Sequence, residues 1–181
     1  MTLYDFNAIN LFHLIVAFAL FEIPLAYSYI HLLDGGKSVT DWYSGKNINI
    51  WNVMVQDSVY VILGIIITLR LLDFVNRNYS IPKNAYTFFS LFLIVQLLGD
   101  SMFALTIKSL SKSTVSKSKW LTFFDNYIDT AGYWALIGDS LYILVWTLSY
   151  LFVSHYIKRF DIKIAILCTF LFFVSIYSET H

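Results

Sequence analysis

The run Val59-Tyr60-Val61-Ile62-Leu63-Gly64-Ile65-Ile66-Ile67-Thr68-Leu69 decides the fold class. A helix on the surface of a soluble core shows one apolar stripe and one polar face, but this run is apolar on nearly every face, as is Leu141 to Val153 further on. Such helices belong in hydrocarbon, where each backbone group is satisfied inside the segment itself. A crossing takes about 20 mostly apolar residues. Five segments meet or approach that length: 10–33, 53–72, 85–107, 133–157 and 162–177. The expected architecture is all-α, a polytopic transmembrane helical bundle of about five spans. We read it as a single domain over 1–181, with the first four spans as a four-helix core and the short fifth packed outside.

Composition agrees. Of 181 residues, 58% are hydrophobic and 13% charged, against about a quarter charged in soluble domains. Thirteen Tyr, sixteen Phe and five Trp suit a protein anchored at two water–lipid interfaces. A net charge of zero gives no basic field for nucleic acid. The lone Cys168 excludes an internal disulfide and a cysteine metal cluster. Met1-Thr2-Leu3-Tyr4-Asp5 lacks the basic start of a signal peptide, so the first apolar run reads as an uncleaved span, and Ser178 to His181 as a short polar tail.

Breaker residues mark the linkers: Asp34-Gly35-Gly36, Ser44-Gly45-Lys46, Ile81-Pro82 and a solvated Ser/Lys stretch from Ser109 to Lys119. Pro24 lies inside the first span and predicts a kink there. Trp42-Tyr43, Trp51 and Trp120-Leu121-Thr122-Phe123-Phe124 read as interfacial anchors. With the N-terminal side named B and the other A, Lys and Arg divide six against six. Those on side B sit in shorter loops nearer span ends, which leans towards B being cytoplasmic.

Each of the first four spans holds one carboxylate: Glu22, Asp57, Asp100 and Asp139. Each costs about 2.5–3.5 kcal/mol near a span centre on the insertion scale, so the acids should face protein or a watery cavity. Three share the wording Asp-Ser-apolar-aromatic, in Asp57-Ser58-Val59-Tyr60, Asp100-Ser101-Met102-Phe103 and Asp139-Ser140-Leu141-Tyr142. On a helix the aromatic falls on the face of its Asp, where it shields the carboxyl. Gly99 and Gly138, before two of the acids, would let a neighbouring backbone approach. Counting along the spans puts Asp57, Asp100 and Asp139 at similar depth below side A, with Glu22 nearer the midplane. The four are candidates for one proton or cation site. Ser58, Ser101, Ser140, Gln56, Gln96, Tyr60 and Tyr142 are the supporting polar groups, with hard cations such as Mg²⁺, Ca²⁺ or Mn²⁺ as alternatives to H⁺. The competing reading is that these acids and serines hydrogen-bond between helices and only fix their packing.

Other polar groups fit a plainer reading. His13 and His155 read as interfacial residues near side B, Asn126 and Asp129 as solvated, and Arg70 as snorkelling towards side B with Asp73 as a neighbour. There is no Ser/His/Asp set, phosphate loop or haem-like His pair, so no enzymatic activity and no cofactor is expected.

The stretch Trp42-Tyr43-Ser44-Gly45-Lys46-Asn47-Ile48-Asn49-Ile50-Trp51-Asn52-Val53-Met54-Val55-Gln56-Asp57, with Gly132-Tyr133-Trp134-Ala135-Leu136-Ile137-Gly138-Asp139-Ser140, resembles uncharacterised small polytopic membrane proteins of large DNA viruses of algae and protists. That likeness implies a virion inner membrane or a host membrane and transfers no functional residue. Two functions from different classes remain open. One is a proton or cation transporter or channel. The other is a structural or assembly protein of a membrane, and either allows a homo-oligomer or a membrane-protein partner.

Overall fold

The computed structural model describes residues 10–32 and 50–179. Within them the chain forms six helices and no strand: α1 Leu11–His31, α2 Ile50–Tyr79, α3 Ala85–Ser113, α4 Lys119–Ala131, α5 Tyr133–His155 and α6 Phe160–Glu179. Four of them, α1, α2, α3 and α5, are long and apolar enough to cross a membrane. Their outward faces fit lipid: Leu98 and Leu105 on α3 are 60% and 72% exposed, and Ile94 on α3 and Ile66 and Ile67 on α2 are exposed as well. Water would disfavour so many exposed large apolar side chains. The turns at Asp34–Gly36 and Ser44–Lys46, the Trp42–Tyr43 anchor, Met1 to Asp5 and the last two residues lie outside the described residues.

Helix starts follow local chemistry. Asn10, Asn84 and Ser118 each stand just before a helix and accept a hydrogen bond from the backbone N–H three residues on, at His13, Thr87 and Leu121. Between α4 and α5 there is no linker beyond Gly132, whose φ of 53° and ψ of −133° only glycine adopts without strain. α1 runs unbroken through Pro24, and the Ser28 hydroxyl bonds back to the Pro24 carbonyl at 2.6 Å.

Side-chain pairs give the directions. Tyr142 to Glu22, Trp146 to Leu14 and Asn10 to Tyr150 set α5 antiparallel to α1. Phe12 against Phe160 and Phe18 against Phe170 set α6 parallel to α1. Lys83 to Asp73 and Tyr60 to Asp100 make α2 and α3 an antiparallel hairpin. One apolar cluster joins α1, α2, α3, α5 and α6. Its axis is α1, where Val16, Ala17, Ala19 and Ala26 are fully buried.

Four details differ from the sequence-based picture. The last helix does not sit outside a finished core, because Phe170 and Val174 of α6 lie buried in the same cluster as Phe18 and Trp146. α3 is the more lipid-exposed member, since it turns one face outward with Leu98, Met102 and Leu105 exposed along it, whereas α1 buries a larger share of its residues. α2 and α3 run past their expected ends at 72 and 107, because hydropathy marks only where a helix is apolar and polar turns extend it to its cap. Half of the Ser/Lys stretch is thus helical, with Ser111 buried. Asp73 pairs with Lys83 across the α2–α3 turn, in preference to Arg70 on its own helix.

Candidate functional site

At the side A end the bundle is hollow. A cavity of about 960 Å³ opens between α2, α3 and α5, with α4 across its mouth. Asp57, Asp100 and Asp139 all line it, so three of the four expected carboxylates share one space. Glu22 does not line it. Fully buried in α1, Glu22 accepts a hydrogen bond at 2.7 Å from the hydroxyl of Tyr142, whose ring is part of the cavity wall.

The repeated Asp-Ser-apolar-aromatic wording works differently from its intrahelical reading. Each aromatic reaches to another helix. The Tyr60 hydroxyl donates to Asp100 on α3, Tyr142 donates to Glu22 on α1, and Phe103 sets its ring edge-on to Trp120 and Phe124 of α4 at 6.1 and 5.1 Å. None of the three shields its own Asp by hydrogen bonding; α-helical geometry points these long side chains into the groove with the neighbour. Asp100 is the most supported acid, since Gln96 also donates to it, from Nε2 to Oδ2 at 2.5 Å. Ser58, Ser101 and Ser140 donate back to the carbonyls of Met54, Leu97 and Leu136, each at 2.7 Å, so they neither bridge helices nor aim their hydrogens into the cavity. Gln56 accepts from the Trp120 indole at 3.0 Å and ties the lid to α2. Gly99 does allow a close approach, by the Tyr60 hydroxyl and not by backbone, because a Cβ there would lie 3.4 Å from that oxygen. Gly138 faces open space.

The lid is the part that single-residue reading passes over. α4 buries Leu121 and Phe123, and its Phe123, Phe124, Tyr127 and Ile128 line the cavity. Its polar face is latched to α3 and to the segment that joins α3 to α4. Lys108 reaches Asp125 and Asp129, both at 2.7 Å, Lys117 reaches Asp125 at 2.9 Å, and Ser111 donates to Asp125. These donors, Lys108 foremost, hold the Asp125 carboxyl well below the usual carboxylate range. Asp129 is therefore ion-paired as well as exposed. The signal in the sequence is the helical spacing of Leu121, Phe124 and Ile128 against Asp125 and Asp129.

A second polar cluster closes the side B end. His13 is more than an interfacial residue: Lys163 Nζ lies 2.6 Å from its Nε2 and Ser154 Oγ 3.3 Å from its Nδ1. An ammonium only donates, so Nε2 accepts and the ring hydrogen falls on Nδ1, facing Ser154. Lys163 is buried at 6% exposure. Between this cluster and Glu22, α1 is packed by the apolar Val16, Ala17, Phe18 and Ala19 against Trp146.

Among the described residues no three His, Cys, Asp or Glu side chains converge closely enough to hold a metal ion, so the three aspartates share a space without forming a coordination shell. No protein-family model, curated protein or solved structure matches this chain.

Proposed function

We propose that this multi-span membrane protein is a carrier that takes up a proton or cation in its side A cavity. The observation that carries the reading is that aspartates of three separate helices line one hollow of about 960 Å³, with no Lys, Arg or His in its described wall. Carboxylates repel one another and resist desolvation, so placing three around one space is costly unless protons or cations occupy it. A carrier fits better than an open pore, since apolar packing around Phe18 and Trp146 separates the cavity from the His13–Lys163 cluster. A proton fits better than Mg²⁺, Ca²⁺ or Mn²⁺, which need several oxygens at one point.

Reconstitution in liposomes with an internal pH dye tests it. An imposed cation or pH gradient should move protons faster than in protein-free vesicles, and Asp100→Asn, which keeps the Tyr60 and Gln96 neighbours, should abolish the difference. Parent rates equal to those of empty vesicles overturn the proposal. A second reading, a structural or assembly protein of a membrane, is favoured by two of the acids serving as interhelical acceptors, Glu22 for Tyr142 and Asp100 for Tyr60. On that reading the Asn variants lose stability and no flux exists to lose.

A further inference from the structure

The cavity wall is mostly aromatic and aliphatic. Phe21, Phe103, Phe124, Tyr127 and Tyr133 surround the three carboxylates, and no basic side chain is among the described lining residues. Inorganic cations are poorly served there. Exchanging their water takes several converging oxygens, and Asp100 already accepts from Tyr60 and Gln96. Asp139 differs. Half-buried on the α5 wall, it makes no hydrogen bond or ion pair among the described residues and opens into the cavity.

We infer that the side A cavity binds an amphiphilic organic cation, a quaternary onium centre or protonated amine on an apolar body, with Asp139 as its counter-charge and the aromatic wall, including α4, around the body. The inference deepens the carrier reading and rests on it only in treating the cavity as a binding site. Three features agree on the ligand. The volume lies at the upper end of the roughly 300–1,000 Å³ that drug-sized ligands occupy. Organic cations are weakly hydrated and gain from ring faces through cation–π attraction, which inorganic ions with tight water shells do not. A negative wall without basic groups rejects anions of the same size.

The test is binding, not flux. Purified protein in detergent is titrated with tetraphenylphosphonium, and with triphenylphosphine oxide as a neutral probe of similar apolar character. The parent should bind the phosphonium saturably and at least tenfold more tightly than the oxide. Asp139→Asn should weaken the phosphonium at least tenfold and leave the oxide unchanged, while Asp139→Glu restores most of the affinity. Phe124→Ala should weaken both probes. Circular dichroism and gel filtration establish that each variant is folded, and Asp139→Glu keeps the proposal testable if the Asn variant is not. Equal phosphonium affinity in parent and Asp139→Asn, or no saturable binding by the parent, overturns the inference. If that happens while proton flux in liposomes persists, only the organic ligand is lost. If the phosphonium binds through Asp139 and no flux is found, the carrier reading fails and the site remains.

Discussion

The two ends of the bundle draw on the same stock of aromatic residues and finish opposite in kind. On side B, Phe18 packs against Trp146 at 4.9 Å and edge-on to Phe170 at 5.6 Å. On side A, Phe103, Phe124 and Tyr127 meet mainly one another around an open space of about 960 Å³. The difference lies in what separates the helices. Ala17 and Ala19 let α5 and α6 close on α1 at one end, as small residues do in membranes. At the other, Tyr60 and Tyr142 bridge to carboxylates on neighbouring helices and hold the backbones a side chain apart. Aromatic content alone therefore says nothing about whether a membrane bundle is solid or hollow.

The largest expected effect would break the solid end. Trp146 is fully buried and donates to the Leu14 carbonyl at 3.2 Å, so Trp146→Ala should cost about 3–5 kcal/mol through lost packing. Tyr133→Ala on the cavity rim, 65% exposed, should stay within about 0.5 kcal/mol. Thermal unfolding in detergent measures both, and similar losses would dissolve the distinction between the two ends.

Next comes the boundary between them. Glu22→Ala should cost about 2 kcal/mol by removing the buried acceptor of the Tyr142 hydroxyl, whereas Glu22→Gln keeps an acceptor in place and should stay close to the parent. A Gln variant as damaged as the Ala variant would mean that charge, and not hydrogen bonding, matters at Glu22.

A smaller effect belongs to the α2–α3 seam. A Cβ at Gly64 would sit 2.9 Å from Cε2 of the buried Phe92, and the ring must shift, so Gly64→Ala should cost about 1 kcal/mol. An unchanged melting temperature would show that the seam yields more readily than its packing implies.

The smallest effect sharpens the comparison at the lid. Because Asp125 is held below its ordinary value, its contribution is complete above the unfolded carboxylate value of roughly 3.9 and is lost only as pH falls through the lower folded value. Hydrogen-exchange protection across 119–131, taken relative to the intrinsic amide rate at each pH, should thus be the same at about pH 7 and about pH 5, and Asp125→Asn should lower it at both. Protection that already falls at about pH 5 would assign the latch to some other group.

How much of this the chain discloses on paper depends on the range of the forces involved. Apolar runs such as Val59 to Leu69 announce a membrane helix because the requirement is local, and the depths of Asp57, Asp100 and Asp139 follow from counting residues along helices. Their common cavity is readable for that reason. Partners across helices are not, since the Asp-Ser-apolar-aromatic wording places Tyr60 beside Asp57 while the fold gives its hydroxyl to Asp100. Glu22 reads as a cavity member and lies one tyrosine behind the wall. The lid was hidden for a similar reason: Asp125 looks like any solvated acid until α3 brings Lys108 and Ser111 to it.

The unequal helix lengths carry one more consequence. At about 1.5 Å per residue, the 30 residues of α2 extend about 45 Å and the 21 of α1 about 32 Å, against roughly 30 Å of hydrocarbon. α1 matches the bilayer as it stands, whereas the α2–α3 hairpin must lean or protrude. Asp57 and Asp100 ride on that hairpin and Asp139 on the shorter α5. Hydrophobic mismatch therefore acts on the two walls of the cavity unequally, and lipid chain length becomes a lever on the distance between the carboxylates.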